Sequence, residues 1–328
     1  MPQALVHAFQ NGIFAVDARY RGRPGHTAIH LVSAGGRVAV VDSGVNASIP
    51  LLLEALRTLG HTPQDVDYLI LTHVHLDHAG GAGLAMRHLP NARLVVHPRG
   101  ARHMAEPSRL VAGTIAVYGE EATRTLYDDI VPVDAARIVA AEDGFRIGFG
   151  GRELRVLDTP GHARHHICLW DEASRALFTG DSFGISYREL DGDGRAFIIP
   201  ATTPVQFDPD AALATLDRLL ALDPERAYLA HFSEVTQLKT LAGELATLLD
   251  AHVAIARAAA RQGDGRHARI KKGLEELFVE HFGHHGCRAG RARILETLAH
   301  DIELNAQGLG VWLDTAAETS PRTAATRS

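Results

Sequence analysis

Thr72-His73-Val74-His75-Leu76-Asp77-His78-Ala79-Gly80-Gly81 follows directly on the apolar run Tyr68-Leu69-Ile70-Leu71. Three imidazoles and a carboxylate fall within the six positions from His73 to His78. Neutral imidazole and carboxylate are the donors that borderline divalent metals such as zinc prefer. Histidines two apart on a turn project to one side, and the Asp77-His78 pair is placed to serve a second ion. The apolar run reads as a buried strand over 67–71, so the cluster stands at a strand's C-terminal end, where open α/β sheets place their ligands. The pattern points to metal-dependent hydrolysis.

Upstream, residues 12–20, 27–33 and 37–42 are short stretches rich in Val, Ile and Phe, punctuated by Gly and Pro, and read as strands. Gly35-Gly36 suits a hairpin turn. Residues 48–59 carry apolar side chains at helical spacing, with Ser48 as N-cap, Pro50 in the first turn and Gly60 at the end. Downstream, the spacing predicts a helix over 81–88, a strand over 93–97 and helical pieces over 100–118 interrupted by Pro107. Strands follow at 137–141, 144–149, 152–158, 167–171 and 175–179, then a helix at 208–221 and a last strand at 226–229. Two strand-rich halves, each with helices, predict two sheets packed face to face with helices outside.

After His231 the character changes. Residues 235–261, 266–282 and 288–307 are rich in Ala, Leu, Glu and Arg at helical period, which predicts an appendage of three helices. Gly263-Asp264-Gly265 and residues 283–286 separate them. The stretch 314–328 has few apolar residues and is expected to be a disordered tail. The chain carries no internal repeat.

Of the 328 residues, 46% are hydrophobic and 22% charged, an ordinary balance for a protein with a substantial core. A formal net charge of −6 argues against a nucleic-acid partner. Cys168 and Cys287, the two cysteines, are too few for a disulfide framework, so a reducing compartment is expected. The N-terminus has no charged start followed by an apolar core, and no apolar run reaches the roughly 20 residues that span a bilayer. A cytoplasmic protein without membrane attachment is the expectation.

Four further segments repeat one design: a strand end, a small turn residue and then a ligand-type side chain. They are Val41-Asp42-Ser43-Gly44, Thr159-Pro160-Gly161-His162, Thr179-Gly180-Asp181 and Leu229-Ala230-His231. Each is weak alone, but their ordered recurrence weighs against the bland reading of a solvated histidine-rich loop. In this order and spacing the chain resembles the metallo-β-lactamase-fold hydrolase superfamily, over about residues 4–235.

The resemblance implies an α/β fold, an αββα sandwich over residues 1–235, followed by the helical appendage at 236–313 and the tail at 314–328. It also implies a dinuclear metal site at one edge of the paired sheets. Carried over position by position, His73, His75 and His162 hold the first metal, Asp77, His78 and His231 the second, and Asp181 bridges both. Asp42 matches a supporting residue rather than a ligand. Two divalent ions are expected, zinc first, with iron or manganese also compatible. The implied mechanism is attack by a metal-bridging hydroxide, one metal stabilising the oxyanion and the other the leaving group, with Asp77 relaying a proton.

The metal box does not choose the substrate. After Asp181 the chain reads Ser182-Phe183-Gly184-Ile185-Ser186-Tyr187, without the Cys-Gly-Arg element of glyoxalase-II-like thioesterases and persulfide dioxygenases. Gly184 stands where acyl-homoserine lactonases place a tyrosine. His75 stands where flavodiiron proteins carry Glu, and no flavin domain follows. Tyr20-Arg21-Gly22-Arg23-Pro24-Gly25, His97-Pro98-Arg99-Gly100-Ala101 and Phe207-Asp208-Pro209 look like a less characterised group of metallo-hydrolases. Hydrolysis of an ester, thioester or lactone of a small molecule is the expected activity. Phosphodiester cleavage, as of RNA, is the second reading, and a catalytically idle metal-binding interaction protein the third. The C-terminal helices are expected either to cover the pocket or to form a homo-oligomer contact.

Several other residues stand near the motifs. His165 and His166 read either as ligand-orienting or substrate-touching groups or as satisfied structural histidines, and Thr72 as a support for the histidine loop. Tyr20, Arg21 and Tyr187 lie on loops that can line the pocket. Cys168 reads as a small buried strand residue rather than a nucleophile. His281-Phe282-Gly283-His284-His285-Gly286-Cys287 lacks a finger-like spacing and reads as a polar helix–helix connection rather than a second metal site.

Overall fold

The structure is a computed structural model that describes residues 4–319. The first sheet holds β1 (Val6–Ala8), β2 (Ile13–Asp17), β3 (Ala28–Ala34), β4 (Arg37–Val41), β5 (Val66–Ile70), β6 (Arg93–Val96) and β7 (Ile138–Ala140), in sequence order. β1 to β4 pair antiparallel through hairpin connections, whereas β4 to β7 pair parallel. Parallel neighbours need crossovers. These are supplied by α1 (Ile49–Thr58), by α2 (Leu76–Ala79) with α3 (Ala82–His88), and by α4 (Pro98–Ala105), α5 (Ser108–Tyr118) and α6 (Glu120–Tyr127).

The second sheet holds β8 (Arg146–Phe149), β9 (Arg152–Asp158), β10 (Ile167–Asp171), β11 (Ala176–Gly180), β12 (Arg226–Leu229) and β13 (Ser233–Val235), again as neighbours in sequence order. Only β11 and β12 run parallel, joined by α7 (Pro209–Leu220). β10 and β11 are buried at every position, as central strands covered on both faces must be.

Val32, Val41, Ile70 and Val95 of the first sheet meet Val156, Leu169, Phe178 and Tyr228 of the second in one apolar layer. α1 and α3 cover the outer face of the first sheet through Leu52, Leu56 and Met86. α7 covers the outer face of the second, together with α8 (Leu238–Ala260), α9 (Arg266–His285) and α10 (Arg291–Thr319). The expected αββα sandwich with a C-terminal helical appendage is therefore present. The appendage shares one continuous apolar cluster with Cys168, Trp170 and Leu177 of the second sheet.

Several places depart from expectation, among them the short strand β13, which follows the strand expected to be the last. α9 runs through His285 and ends at Gly286 (φ +80°), so His281 to His285 form its last turns rather than a loose connection. α10 continues to Thr319, so residues 314–319, expected to be a disordered tail, are helical. Trp312 and Leu313 pack on the shared core and Arg266 pairs with Asp314 at 2.6 Å, contacts that composition alone does not reveal. The rest of that expected tail lies outside the described residues. Finally α6, residues 120–127, fills a segment that carried no clear periodic signal.

α10 seats unusually close to the loop after Ile199. A Cβ on Gly308 would stand 1.8 Å from the Thr202 carbonyl oxygen. Buried Asn305 accepts a hydrogen bond from Thr202 N (2.7 Å) and donates to the Pro200 carbonyl (2.9 Å). Gly308→Ala is therefore expected to destabilise the fold by about 1–3 kcal/mol, the usual cost of overpacking. Chemical denaturation checks this, and an unchanged midpoint would contradict the close seat.

Candidate metal centre

Each ligand-type residue follows a strand at the same edge of the sandwich. Asp42 follows β4, the His73–His78 box follows β5, His162 follows β9, Asp181 follows β11 and His231 follows β12. The box is fixed from behind. Asp42 accepts from Thr72 N at Oδ1 (2.8 Å) and from Thr72 Oγ1 at Oδ2 (2.9 Å), and His78 Nδ1 stands 3.3 Å from the same Oδ2. Ser43 donates twice, from N and Oγ, to the His78 carbonyl at 2.8 Å. Asp77 and His78 ride on the short helix α2.

Outward-facing ring nitrogens are anchored to protein oxygens, which turns the opposite nitrogens inward. His162 Nδ1 donates to the Ala201 carbonyl (2.9 Å) and His231 Nδ1 to the His26 carbonyl (2.7 Å). His73 Nδ1 donates to Thr72 Oγ1 (3.1 Å), which itself donates to Asp42. Such outer contacts select the tautomer of a metal-binding imidazole.

The inward atoms form two groups. His73 Nε2 and His162 Nε2 lie 3.1 Å and 3.0 Å from His75 Nδ1. These separations approach the roughly 3.3 Å edge of a tetrahedron with bonds of about 2.0–2.1 Å. His78 Nε2 lies 3.3 Å from both Asp77 Oδ2 and His231 Nε2. Asp181 stands between the groups: Oδ2 is 3.5 Å from His162 Nε2, while Oδ1 is 3.5 Å from His78 Nε2 and 3.6 Å from His231 Nε2. His73, His75 and His162 can hold one ion, and Asp77, His78 and His231 another; His73, His78 and Asp181 form a third such triad between them. Asp181 Oδ1 is buried without a hydrogen-bond partner. Converging lone pairs and an orphaned carboxylate oxygen fit divalent cations and leave little else to satisfy them.

The electrostatics of the free site point the same way. Burial, reinforced by neighbouring imidazoles, holds His73 and His75 well below the ordinary histidine range, so both stay neutral. Burial also opposes charge on His78, but Asp77 and Asp181 outweigh it and hold that imidazole well above its usual value. Burial opposes ionisation of Asp77 as well, and His78 and His231 outweigh it, so the carboxyl lies well below the usual range. One group thus offers neutral donors, while the other keeps carboxylate charge balanced by imidazolium. His75 and Asp77 are partly exposed and the other five residues buried, so the pair faces the approach to the site.

The neighbouring histidines differ in what they do. His166 Nε2 accepts from Asp181 N (3.2 Å), and its Nδ1 lies 2.9 Å from Thr159 Oγ1 and 3.0 Å from Ser182 Oγ. A Cβ at Gly180 (φ +49°) would meet that Nε2 at 2.5 Å, so this backbone position requires glycine. His166 therefore holds the backbone that presents Asp181. His165 instead lines the cleft beside His75.

Tyr20 pairs with Tyr127 through their hydroxyls (2.7 Å), and Arg21 is exposed at the mouth. Tyr187 is buried and donates to Asp301 of α10 (3.1 Å). Burial pushes the Cys168 thiol up to about 12, consistent with a packed strand residue. No group of metal-ligating side chains forms around His281 to Cys287 among the described residues. Sequence reading missed His26, Thr203, His300, Asp301 and Leu304, which line the approaches to Asp181. None carries a local signal, because they meet the site only through packing of α10 and the loops.

A two-sheet αββα sandwich gathering a His-X-His-X-Asp-His box and three later donors at one edge is the metallo-β-lactamase fold. The chain belongs to the metallo-beta-lactamase superfamily, whose sequence profile matches residues 22–231. The archaeal superfamily protein ST1585 from Sulfolobus tokodaii superposes with a TM-score of 0.62 over 92% of this chain and 98% of its own, at 21% identity, a likeness of fold. The acyl-coenzyme A thioesterase MBLAC2 of Gallus gallus is 30% identical over 188 residues, covering 52% of this chain and 62% of that protein. A hydroxyacylglutathione hydrolase of Cupriavidus taiwanensis is 32% identical over 208 residues, 62% of each chain. The aligned part thus spans about three fifths of either enzyme's length. No helix among the described residues is long and apolar enough to cross a membrane.

Two outcomes follow from the surroundings of the site. His166→Ala frees the Asp181 backbone and is expected to weaken zinc binding roughly 10–100-fold, measured by competition with a chromophoric chelator; unaltered affinity would count against this support. Burial pushes the Asp301 carboxyl up to about 6, despite opposing pulls from His231 and the Tyr187 hydroxyl. A carboxyl raised above its unfolded value stabilises the fold fully below about pH 4 and loses that contribution as pH rises through its folded value. The stability difference between metal-free wild type and Asp301→Asn should therefore change between about pH 4 and 6. A flat difference would contradict the burial of a titrating carboxyl.

Proposed function

We propose that this chain hydrolyses a thioester, carboxylic ester or lactone of a small molecule, with two divalent cations held by the residues described above. The observation that carries this reading is the placement of Asp181, whose two oxygens address separate donor groups. His73, His75 and His162 are assigned to one cation, Asp77, His78 and His231 to the other, and Asp181 to both. Cations held by these residues would supply Lewis acidity and would activate a water as nucleophile.

The protein's own groups do the remaining work. The Asp42–Thr72 contacts and the carbonyls of Ala201 and His26 fix the imidazoles before substrate arrives, so little reorganisation accompanies reaction. The Asp77 carboxylate, ionised and partly exposed, is the group assigned to take the proton released as water attacks. In the net reaction a water oxygen bonds to the carbonyl carbon and the carbon–sulfur or carbon–oxygen bond breaks. One water proton passes to the leaving sulfur or oxygen, leaving a carboxylic acid that ionises. Thioesters head the expected substrates, supported by the similarity to an acyl-coenzyme A thioesterase and a hydroxyacylglutathione hydrolase.

Turnover on matched thioesters, esters and lactones, beside a phosphodiester, tests the assignment. Chelation is expected to abolish hydrolysis and zinc to restore it. His75→Ala and Asp181→Asn should each lower kcat/KM more than roughly a hundredfold while retaining a folded far-UV signature. Cleavage of the phosphodiester alone, or full activity in His75→Ala, would overturn the reading.

A further inference from the structure

α5 has the sequence Ser-Arg-Leu-Val-Ala-Gly-Thr-Ile-Ala-Val-Tyr, and none of its residues is buried. A helix of that composition ordinarily buries a stripe against the protein. Here Leu110 packs only partly on the core, and Leu110, Gly113, Thr114 and Val117, at i, i+3, i+4 and i+7, line an open cleft of about 240 Å³. Val205 and Leu304 form part of the facing wall, the first on the loop before α7 and the second on α10. Val205 is 60% exposed, one of few large apolar side chains so uncovered among the described residues. The cleft reaches Asp77 and Asp181 at its inner end. A largely apolar trough that also carries His103, Arg109 and Gln206 and opens onto the candidate reaction centre has the form of a ligand site rather than a packing defect.

A second, narrower recess also reaches Asp77 and Asp181, with Tyr20, Ile185 and Leu304 among its walls. Arg21, Arg23, His26 and His300 surround it, with the two arginines exposed. The second approach thus carries cationic groups near its mouth, whereas the α5 face of the first is mostly apolar. A carbonyl held between them has its acyl side along α5 and its leaving group toward the arginines.

We propose that the α5 cleft binds the substrate's linear aliphatic acyl chain. The inference rests on the hydrolase reading above and specifies which part of the substrate lies where. An open cleft of about 240 Å³ has room for a chain of medium length, for which octanoate serves as the reference. Gly113 is the gate on length. It lies mid-helix, and a Cβ added there meets nothing within 4 Å, so a larger side chain projects into the trough without straining the backbone.

The test is calorimetric binding of linear carboxylates, from acetate to dodecanoate, to the zinc-loaded full-length protein, alongside thioester turnover. In wild type, affinity should rise up to roughly fourfold per methylene to about octanoate and then level off. Gly113→Leu should cut octanoate affinity at least tenfold and end the rise at shorter chains. Ala112→Leu, an exposed neighbour outside the cleft lining, controls for altered helix stability and should bind as wild type. Val205→Glu, which sets a carboxylate on the lip, should weaken octanoate far more than acetate. Equal affinity for acetate and octanoate, or an unshifted length profile in Gly113→Leu, overturns the acyl site. Length-dependent binding without turnover of any thioester, ester or lactone upholds the acyl site and overturns the hydrolase reading. Turnover without length dependence does the reverse.

Discussion

Asp181 is a buried carboxylate with an oxygen that the protein itself leaves unsatisfied. Its Oδ1 has no hydrogen-bond donor, yet His78 and His231 stand within 3.6 Å of it. Burying such an oxygen costs free energy unless a cation or a proton compensates it. The surroundings are built to make that arrangement persist: Gly180 clears space, His166 receives the Asp181 N–H, and Thr159 and Ser182 hold His166 in turn. Removing the ligand atoms from the reach of competing protein donors is what turns a set of strand ends into a metal-binding geometry.

The same constraint explains why the appendage is not a spectator. His162 owes its orientation to the Ala201 carbonyl, and the residues on either side of Ala201 are clamped by Asn305 of α10. Gly308 lets that helix lie close enough for the clamp to form. A continuous path of hydrogen bonds therefore runs from the last helix to an inward-facing ring nitrogen. On the opposite side, His26 presents its carbonyl to His231 while its ring packs on Tyr187, which reaches Asp301 on the same helix. α10 thus braces the outer contacts of both donor groups.

The donors and the fold were legible because each is written locally. A short apolar run, a turn and a histidine or aspartate within three positions identify a strand end, and five such ends in order specify the sandwich edge. His166 and Tyr187 were visible as candidates, but their partners at Asp181 N and Asp301 were not, since those contacts close loops of 15 and 114 residues. The end of α10 was missed for a related reason: Trp312 and Asp314 are sparse signals in sequence, but they acquire Arg257 and Arg266 as neighbours in space. α6 escaped because its one strongly buried aromatic, Tyr127, finds its partners in Tyr20 and Tyr118 rather than in its own helical stripe.

This division between local and distant signals has a chemical counterpart. The groups that face a metal come from the sheets, whose carboxyl ends are fixed by register and by the apolar layer between them. The two approaches to Asp181 are lined largely by α5, the Thr203–Gln206 loop, the Tyr20–His26 loop and α10, none of which belongs to either sheet. Those segments can change length and side chain without disturbing the register that sets the inward nitrogens. Reaction type is therefore constrained by the part of the chain that must fold one way, and substrate by the part that need not. That separation is why a motif can reach as far as metal-assisted hydrolysis and stop there, and why the next step required an uncovered helix face.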